Sequence, residues 1–331
     1  MKWRLSVLFV LSIVLHAAGA VAVASQAAAA AKSRITTASG VRVRREPRTA
    51  AEEVARLPLG VVVRELERSP QRERVGEAED YWFRVAAPNG AEGWVFGGLT
   101  AAYEDSRREE IYRQLAAARV ANAAATFAEL SDLVVFLERA VTEITRREAL
   151  AELELARLVA LQRSLASIAL EDLEKPPFAA WTKAREAQIV YSEPAGQWFV
   201  RAELFWDLQR KFQDLPAAES IAWEGAQAPL PGECEGYLPC YLYLLTESEG
   251  RYLKLYPRGA HAADALKNIA DFLDGVSEDA ANANPVYAVP DEDRADFQKT
   301  VAELRAQVAP AQHALRERVL AQLDALARRF R

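Results

Sequence analysis

Between positions 41 and 96 apolar residues come in short alternating runs. Val41 and Val43 alternate with Arg42 and Arg44, Val61-Val62-Val63 follows Leu57-Pro58-Leu59-Gly60, and residues 81–85 are aromatic and β-branched. A period of two places successive side chains on opposite faces of a strand. Pro88-Asn89-Gly90 reads as a hairpin turn, because Asn-Gly tolerates the positive φ that tight turns need. Several short strands in about sixty residues, with no helical period, predict a small β-barrel over residues 39–103.

From Asp105 onward glycine becomes scarce and the period changes. Phe127, Leu130, Leu133, Val134, Leu137, Val141 and Ile144 share one helical face, with Glu129, Asp132, Glu138 and Arg139 on the other. A following helix carries Leu150, Leu153, Leu158, Leu161, Leu165 and Ile168, and Pro176-Pro177 is expected to stop it. Trp181, Trp198, Phe205, Trp206 and Phe212 mark an aromatic-rich helix pair, their tryptophans expected in the core with Trp223. The pattern resumes at Phe297, Val301, Leu304 and Val308 and continues past a break at Pro310 to Leu315, Val319, Leu323 and Leu326. Residues 104–331 are therefore expected to be an all-α domain of about seven or eight helices. Because the two regions use different apolar periods, they are expected to separate near residues 103–107.

The N-terminus is of another kind. Lys2 and Arg4 precede an apolar run over residues 5–15, followed by small residues that include Ala22-Val23-Ala24. That order is a secretory signal peptide over residues 1–24, followed by an Ala-rich linker over 25–38. The stretch 5–24 is also just long enough to span a bilayer, so an uncleaved inner-membrane anchor is the rival. The Ala and Gly of its second half insert weakly and favour cleavage. Export to the periplasm or beyond the cell decides what the chain's two cysteines do. In an oxidising compartment Cys234 and Cys240, in a Pro/Gly loop near 229–240, are expected to close as a disulfide.

Composition excludes more than it assigns. The 41 Lys and Arg against 47 Asp and Glu give a net charge of −6, and loss of Lys2 and Arg4 with a leader makes it two units more negative. Such a surface offers no electrostatic reason to bind nucleic acid. His261, in a turn before a helix, and His313, on a charged helix flank, are too few for a hydrolytic zinc site, and no metal or cofactor is expected. No G-x-S-x-G, phosphate-cradling glycine loop or CxxC is present. Glu233 and Glu235 read as solvated loop carboxylates, and Asp291-Glu292-Asp293 as the acidic start of a helix. The expectation is a protein without catalysis.

Four ordered motifs carry a family resemblance: VRVRREP, LPLG, YWFRV and NGAEGWVFGGL. Together they resemble the bacterial SH3 (SH3b) domain, in which V-R-x-x-P, L-P-x-G, W-x-x-V and G-x-x-GWV recur in this order. The likeness covers a fifth of the chain, residues 39–103. Many members carry Gly before the proline of the first motif, where this chain has Glu46. The resemblance implies a five- or six-strand barrel in an exported protein, binding peptidoglycan peptides or other envelope partners. Separately, EGRYLKLYPRGAHAADALKNI, residues 249–269, resembles the junction between tetratricopeptide-type repeats. Tyr252, Leu253, Tyr256 and Pro257 would end one helix, and Ala262, Ala265, Leu266 and Ile269 would start the next. Repeat-like helices commonly present a protein-docking surface.

The reading is thus a multidomain β + α protein, an SH3-like β-barrel followed by a repeat-like all-α domain. Its expected role is non-catalytic attachment to peptidoglycan or an envelope protein, with the helices as scaffold or as a docking surface for a protein partner. An assembly factor acting mainly through its helices, and a wall hydrolase with an unfamiliar site, are the alternatives. Strand alternation puts Phe83, Val85 and Val95 inward, and leaves Trp82, Arg84, Trp94 and Phe96 as the candidate surface groove.

Overall fold

The computed structural model describes residues 32–331, so the expected leader, its rival anchor and the first half of the linker lie outside the described residues. The strands are β1 (Ser33–Thr36), β2 (Val41–Arg44), β3 (Glu53–Leu57), β4 (Val62–Val75), β5 (Ala78–Ala86), β6 (Glu92–Phe96) and β7 (Thr100–Tyr103). They form one antiparallel sheet in the order β3-β2-β6-β5-β4-β1-β7 that curls into an SH3-like half-barrel. Val41, Val43, Leu57, Val63, Phe83, Val85, Ala87 and Val95 fill it, the alternating positions of the sequence pattern.

Two parts of this sheet differ from expectation. Ser33–Thr36, placed in the linker, is a strand paired with both β4 and β7. Its Ile35 is fully buried, so a single apolar side chain at the right register recruits a polar stretch into the sheet. β4 is also longer than its apolar residues suggest. Its polar half runs out with β5 as a ribbon, turning at Gly76 with φ 62°, and register shifts between Arg68 and Arg72 bend it.

The helical region holds α1 (Arg108–Val120), α2 (Phe127–Glu143), α3 (Arg147–Ala166) and α4 (Phe178–Lys183). A hairpin, β8 (Ile189–Ser192) with β9 (Gln197–Val200), follows. Then come α5 (Ala202–Lys211), α6 (Ala217–Gln227), α7 (Leu238–Leu245), α8 (Arg251–Leu255), α9 (Ala262–Asp279), α10 (Arg294–Val308) and α11 (Leu315–Arg329). The hairpin corrects the all-α expectation. Trp198 belongs to a strand, because β-branched and aromatic residues flank a Glu193-Pro194-Ala195-Gly196 turn whose glycine has φ 61°. The prolines at 176–177 do not stop α3, which ends ten residues earlier. There Ser164 and Ser167 donate their hydroxyls to the Leu161 and Ser164 carbonyls. The break at Pro310 falls between α10 and α11, and Pro257 follows the end of α8. Of the four tryptophans expected in the core, Trp206 is 3% exposed, while Trp181, Trp198 and Trp223 are partly buried against it.

α2 shows how local signals place an element. Thr126 caps it: its hydroxyl accepts from the Glu129 N–H, and Glu129 reaches back to the Thr126 N–H. Leu130, Leu133, Val134 and Leu137 then recur on the buried face. Residues 32–331 form one compact unit. A single buried cluster runs from Ile35, Leu59 and Tyr103 of the sheet into Tyr112, Leu133, Phe136 and Leu137, and on to Phe205 and Ile221. Besides its own interior the sheet therefore shares a core with the first helices, across the expected boundary at residues 103–107. A further cluster joins α7–α11 to Trp206 of α5 and to Ala222 and Ala226 of α6.

Candidate functional site

The strand registers set the geometry of the expected groove. Trp82 stands opposite Phe96, and Arg84 opposite Trp94, across β5 and β6; Arg44 of β2 is opposite Trp94 on the other side. All four expected residues therefore share the outer face of the sheet, and Phe83, 7% exposed, points into the barrel core.

Half of that face is covered, however. Trp82 is only 3% exposed and Phe96 4%, their rings edge-to-face with centroids 5.6 Å apart. The polar β4–β5 ribbon does the covering. The Trp82 indole N–H donates to Glu73, and its backbone N–H donates to the hydroxyl of Ser69, itself 7% exposed. The Phe96 ring lies so close to Gly98 that a Cβ there would stand 2.7 Å from it. Trp82 and Phe96 are thus a second, outer core rather than groove residues. The ribbon's sequence, polar at almost every position, carried no strand signal.

What remains open is a row across three strands, Arg84, Trp94 and Arg44. Trp94 is partly buried and Arg84 exposed. Arg84 donates to Glu92 at 2.6 Å and lies 3.9 Å from Glu67, while Arg44 donates to the Ala51 carbonyl at 2.7 Å. The row is amphipathic: one indole between two guanidinium groups, with carboxylates at its margin. An aromatic surface flanked by donors can stack on an apolar group and hold acceptors beside it.

The LPLG motif does something different. Gly60 adopts φ 72°, and a Cβ on it would fall 2.1 Å from the Phe136 ring of α2. The Leu59 N–H donates to Asp132 at 2.9 Å, and Arg139 donates to the Gly60 carbonyl at 2.6 Å. This turn docks the sheet on α2, and glycine is needed for both its backbone conformation and the close approach.

Two clefts flank the dock. In one, of about 500 Å³, the Tyr103 hydroxyl donates to Asp105 at 3.1 Å and accepts from Arg108 at 2.9 Å, while Tyr112 donates to Glu143 at 2.8 Å. Burial pushes both phenols up, and the Arg108 hydrogen bond holds Asp105 below the usual carboxylate range. These groups satisfy one another. The other cleft, of about 890 Å³, is mainly apolar and lies between the sheet, α2 and α4.

The remaining sequence candidates are dispersed. Cys234 and Cys240 are joined as a disulfide, with Cα atoms 5.5 Å apart. The loop it closes packs on residues 286–289, through Ala288 N–H to Gly236 O and Leu238 N–H to Ala288 O. His261 stands before α9, stacked on Trp223 with centroids 4.5 Å apart, and the His313 ring accepts from the Leu315 N–H at the start of α11. Glu233 and Glu235 are exposed, and Asp291–Asp293 forms a short turn ahead of α10. Among the described residues no group of three or more His, Cys, Asp and Glu is arranged to hold a metal ion, and no helix is long and apolar enough to cross a membrane.

Residues 39–101 match the bacterial SH3 domain family. No curated protein matches the chain. A bacterial SH3 domain suggests a cell-wall or peptidoglycan-related binding role and an envelope or extracellular protein. The helices beyond residue 104 lie outside that match.

Proposed function

We propose that this is an exported, non-catalytic envelope protein whose SH3 domain binds peptidoglycan through the Arg84–Trp94–Arg44 row. The observation that carries the reading is Trp94. It is the partly exposed aromatic of the GWV motif, in register between two arginines on an open sheet face, inside the stretch that matches the bacterial SH3 family. Stem peptides of the wall offer small apolar groups and carbonyl or carboxylate acceptors, which suits an indole with flanking guanidinium groups. The signal-peptide pattern of residues 1–24 supports delivery to that compartment.

Substitution separates the row from the core behind it. Trp94→Ala is expected to leave the melting transition nearly in place and to weaken co-sedimentation with purified peptidoglycan by on the order of 2 kcal/mol, about thirtyfold. Phe83→Ala, one position out of phase on the neighbouring strand, should cost about 3–5 kcal/mol of stability. Unchanged binding by Trp94→Ala, or no sedimentation of the parent, would reject the proposal. Clearing of a peptidoglycan suspension by the purified protein would reject its non-catalytic part.

A further inference from the structure

The apolar cleft between the sheet and helices has the features of a binding site separate from the Trp94 row. One wall is Leu57 and Pro58 of the sheet; the other is Val135 of α2 and Trp181 of α4. Val135 is 51% exposed although its neighbours Val134 and Phe136 are buried, so α2 presents an aliphatic side chain to an open space. A cleft of about 890 Å³ lies in the range of small-ligand sites, roughly 300–1,000 Å³.

Arg185 lines the cleft, and its side chain is only 9% exposed. Its guanidinium lies over the Trp181 ring at 3.4 Å and one terminal nitrogen donates to both Glu138 oxygens at 3.1 Å, but its buried Nε has no acceptor. Burial pulls its pKa down despite Glu138, a sign that the charge is incompletely compensated. On the sheet wall the Ser39 hydroxyl is likewise buried without a partner. Buried donors in native proteins are normally satisfied, and two without partners in residues lining one cleft are exceptional.

The acids of the same cleft are already engaged. Asp132 accepts from the Leu59 N–H, and Glu129 accepts from Thr126 and Arg119. The unmet capacity is therefore for an acceptor, beside an apolar surface.

We propose that this cleft binds a short peptide through its free C-terminal carboxylate, with the carboxylate on the Arg185 side and small aliphatic side chains against Val135 and Trp181. A peptide fits better than an alkyl acid, because rotation of the buried Ser39 hydroxyl toward the cleft would add a polar point on the facing wall that a backbone amide can meet and a methylene chain cannot. Binding requires a small shift of the Arg185 side chain, which uncovers its Nε.

Calorimetric titration of the full chain with acetyl-Ala-Leu-Ala-Ala, as free acid and as C-terminal amide, tests this. The free acid should bind, and the amide at least tenfold more weakly. Val135→Asp, at an exposed position that leaves the melt unchanged, should weaken the acid at least tenfold by placing a second carboxylate in the cleft. Arg185→Met should abolish the preference for acid over amide; should it unfold the chain, Val135→Asp still decides the matter. Trp94→Ala should bind the acid like the parent. Equal binding of acid and amide, no binding of the acid by the parent at millimolar concentration, or an unaffected Val135→Asp overturns the proposal. So does a parent that sediments as a dimer broken by Val135→Asp, since a second copy would then fill the cleft.

Discussion

The molecule builds its two ends in different ways. At the front, the sheet keeps a core of its own and lends Ile35, Leu59 and Tyr103 to a larger one that runs through the helices to Ala228. At the back, α7–α11 pack mainly on one another, and the loop ahead of α7 is tied by a disulfide. α5 and α6 divide the two: Phe205, Phe212 and Ile221 turn to the front, Trp206, Ala222 and Ala226 to the back. The difference teaches where sites arise. The helices leave a cleft of about 180 Å³ between α9 and α11, whereas the curled sheet laid on helices touches along a turn and leaves clefts of about 500 and 890 Å³ on both sides of it.

The front core should fail most severely when its dock is blocked. Gly60→Val introduces a branched side chain at positive φ against the Phe136 ring, and strain plus overpacking together should cost about 4 kcal/mol. Gly90→Ala has similar backbone strain, φ 83°, but open space around its Cβ, and should cost about 1 kcal/mol. Thermal melts of the pair isolate the docking contribution. Equal shifts would mean that the Gly60–Phe136 contact adds nothing.

A smaller effect is expected at the back. Replacing both Cys234 and Cys240 by Ala should lower stability by about 2 kcal/mol, the loop-closure value for so short a ring. Hydrogen exchange should then rise at residues 234–240 and at 286–289, which hydrogen-bond to that loop. Exchange rising in the sheet instead would join the two cores more tightly than their packing indicates.

The smallest expected change lies on the divider. Burial raises the pKa of Glu224, which faces α1 and α3 and accepts no hydrogen bond among the described residues. A carboxyl with a raised folded pKa favours the fold while protonated, and that contribution is lost as pH rises through the folded value. Glu224→Gln should therefore stabilise by about 1 kcal/mol at neutral pH, with the gain vanishing below about pH 4, where both states are protonated. Melts at the two pH values check it; a gain independent of pH would assign the effect to packing alone.

Much of this was legible in the chain. Period-two alternation at 41–43 and 82–85 and period-3.6 spacing at 130–137 identified strands and helices, because each burial face is a local property of the backbone. Four motifs pointed to the SH3 likeness, and the leader pattern with a paired Cys234 and Cys240 pointed to the disulfide. Other elements were hidden. The β4–β5 ribbon is polar, and its hold on Trp82 depends on Glu73 and Ser69 arriving from elsewhere. The short strand β1 has one apolar anchor. Sequence alternation could sort Trp82, Arg84, Trp94 and Phe96 to one face of the sheet, but not tell which of them a distant segment would cover. Nor could it show that LPLG docks α2, or that Ser39 and Arg185, almost 150 positions apart, would border one cleft. Local periodicity is written in neighbouring residues, whereas burial, partner and cleft are set by segments that meet only when the chain has folded.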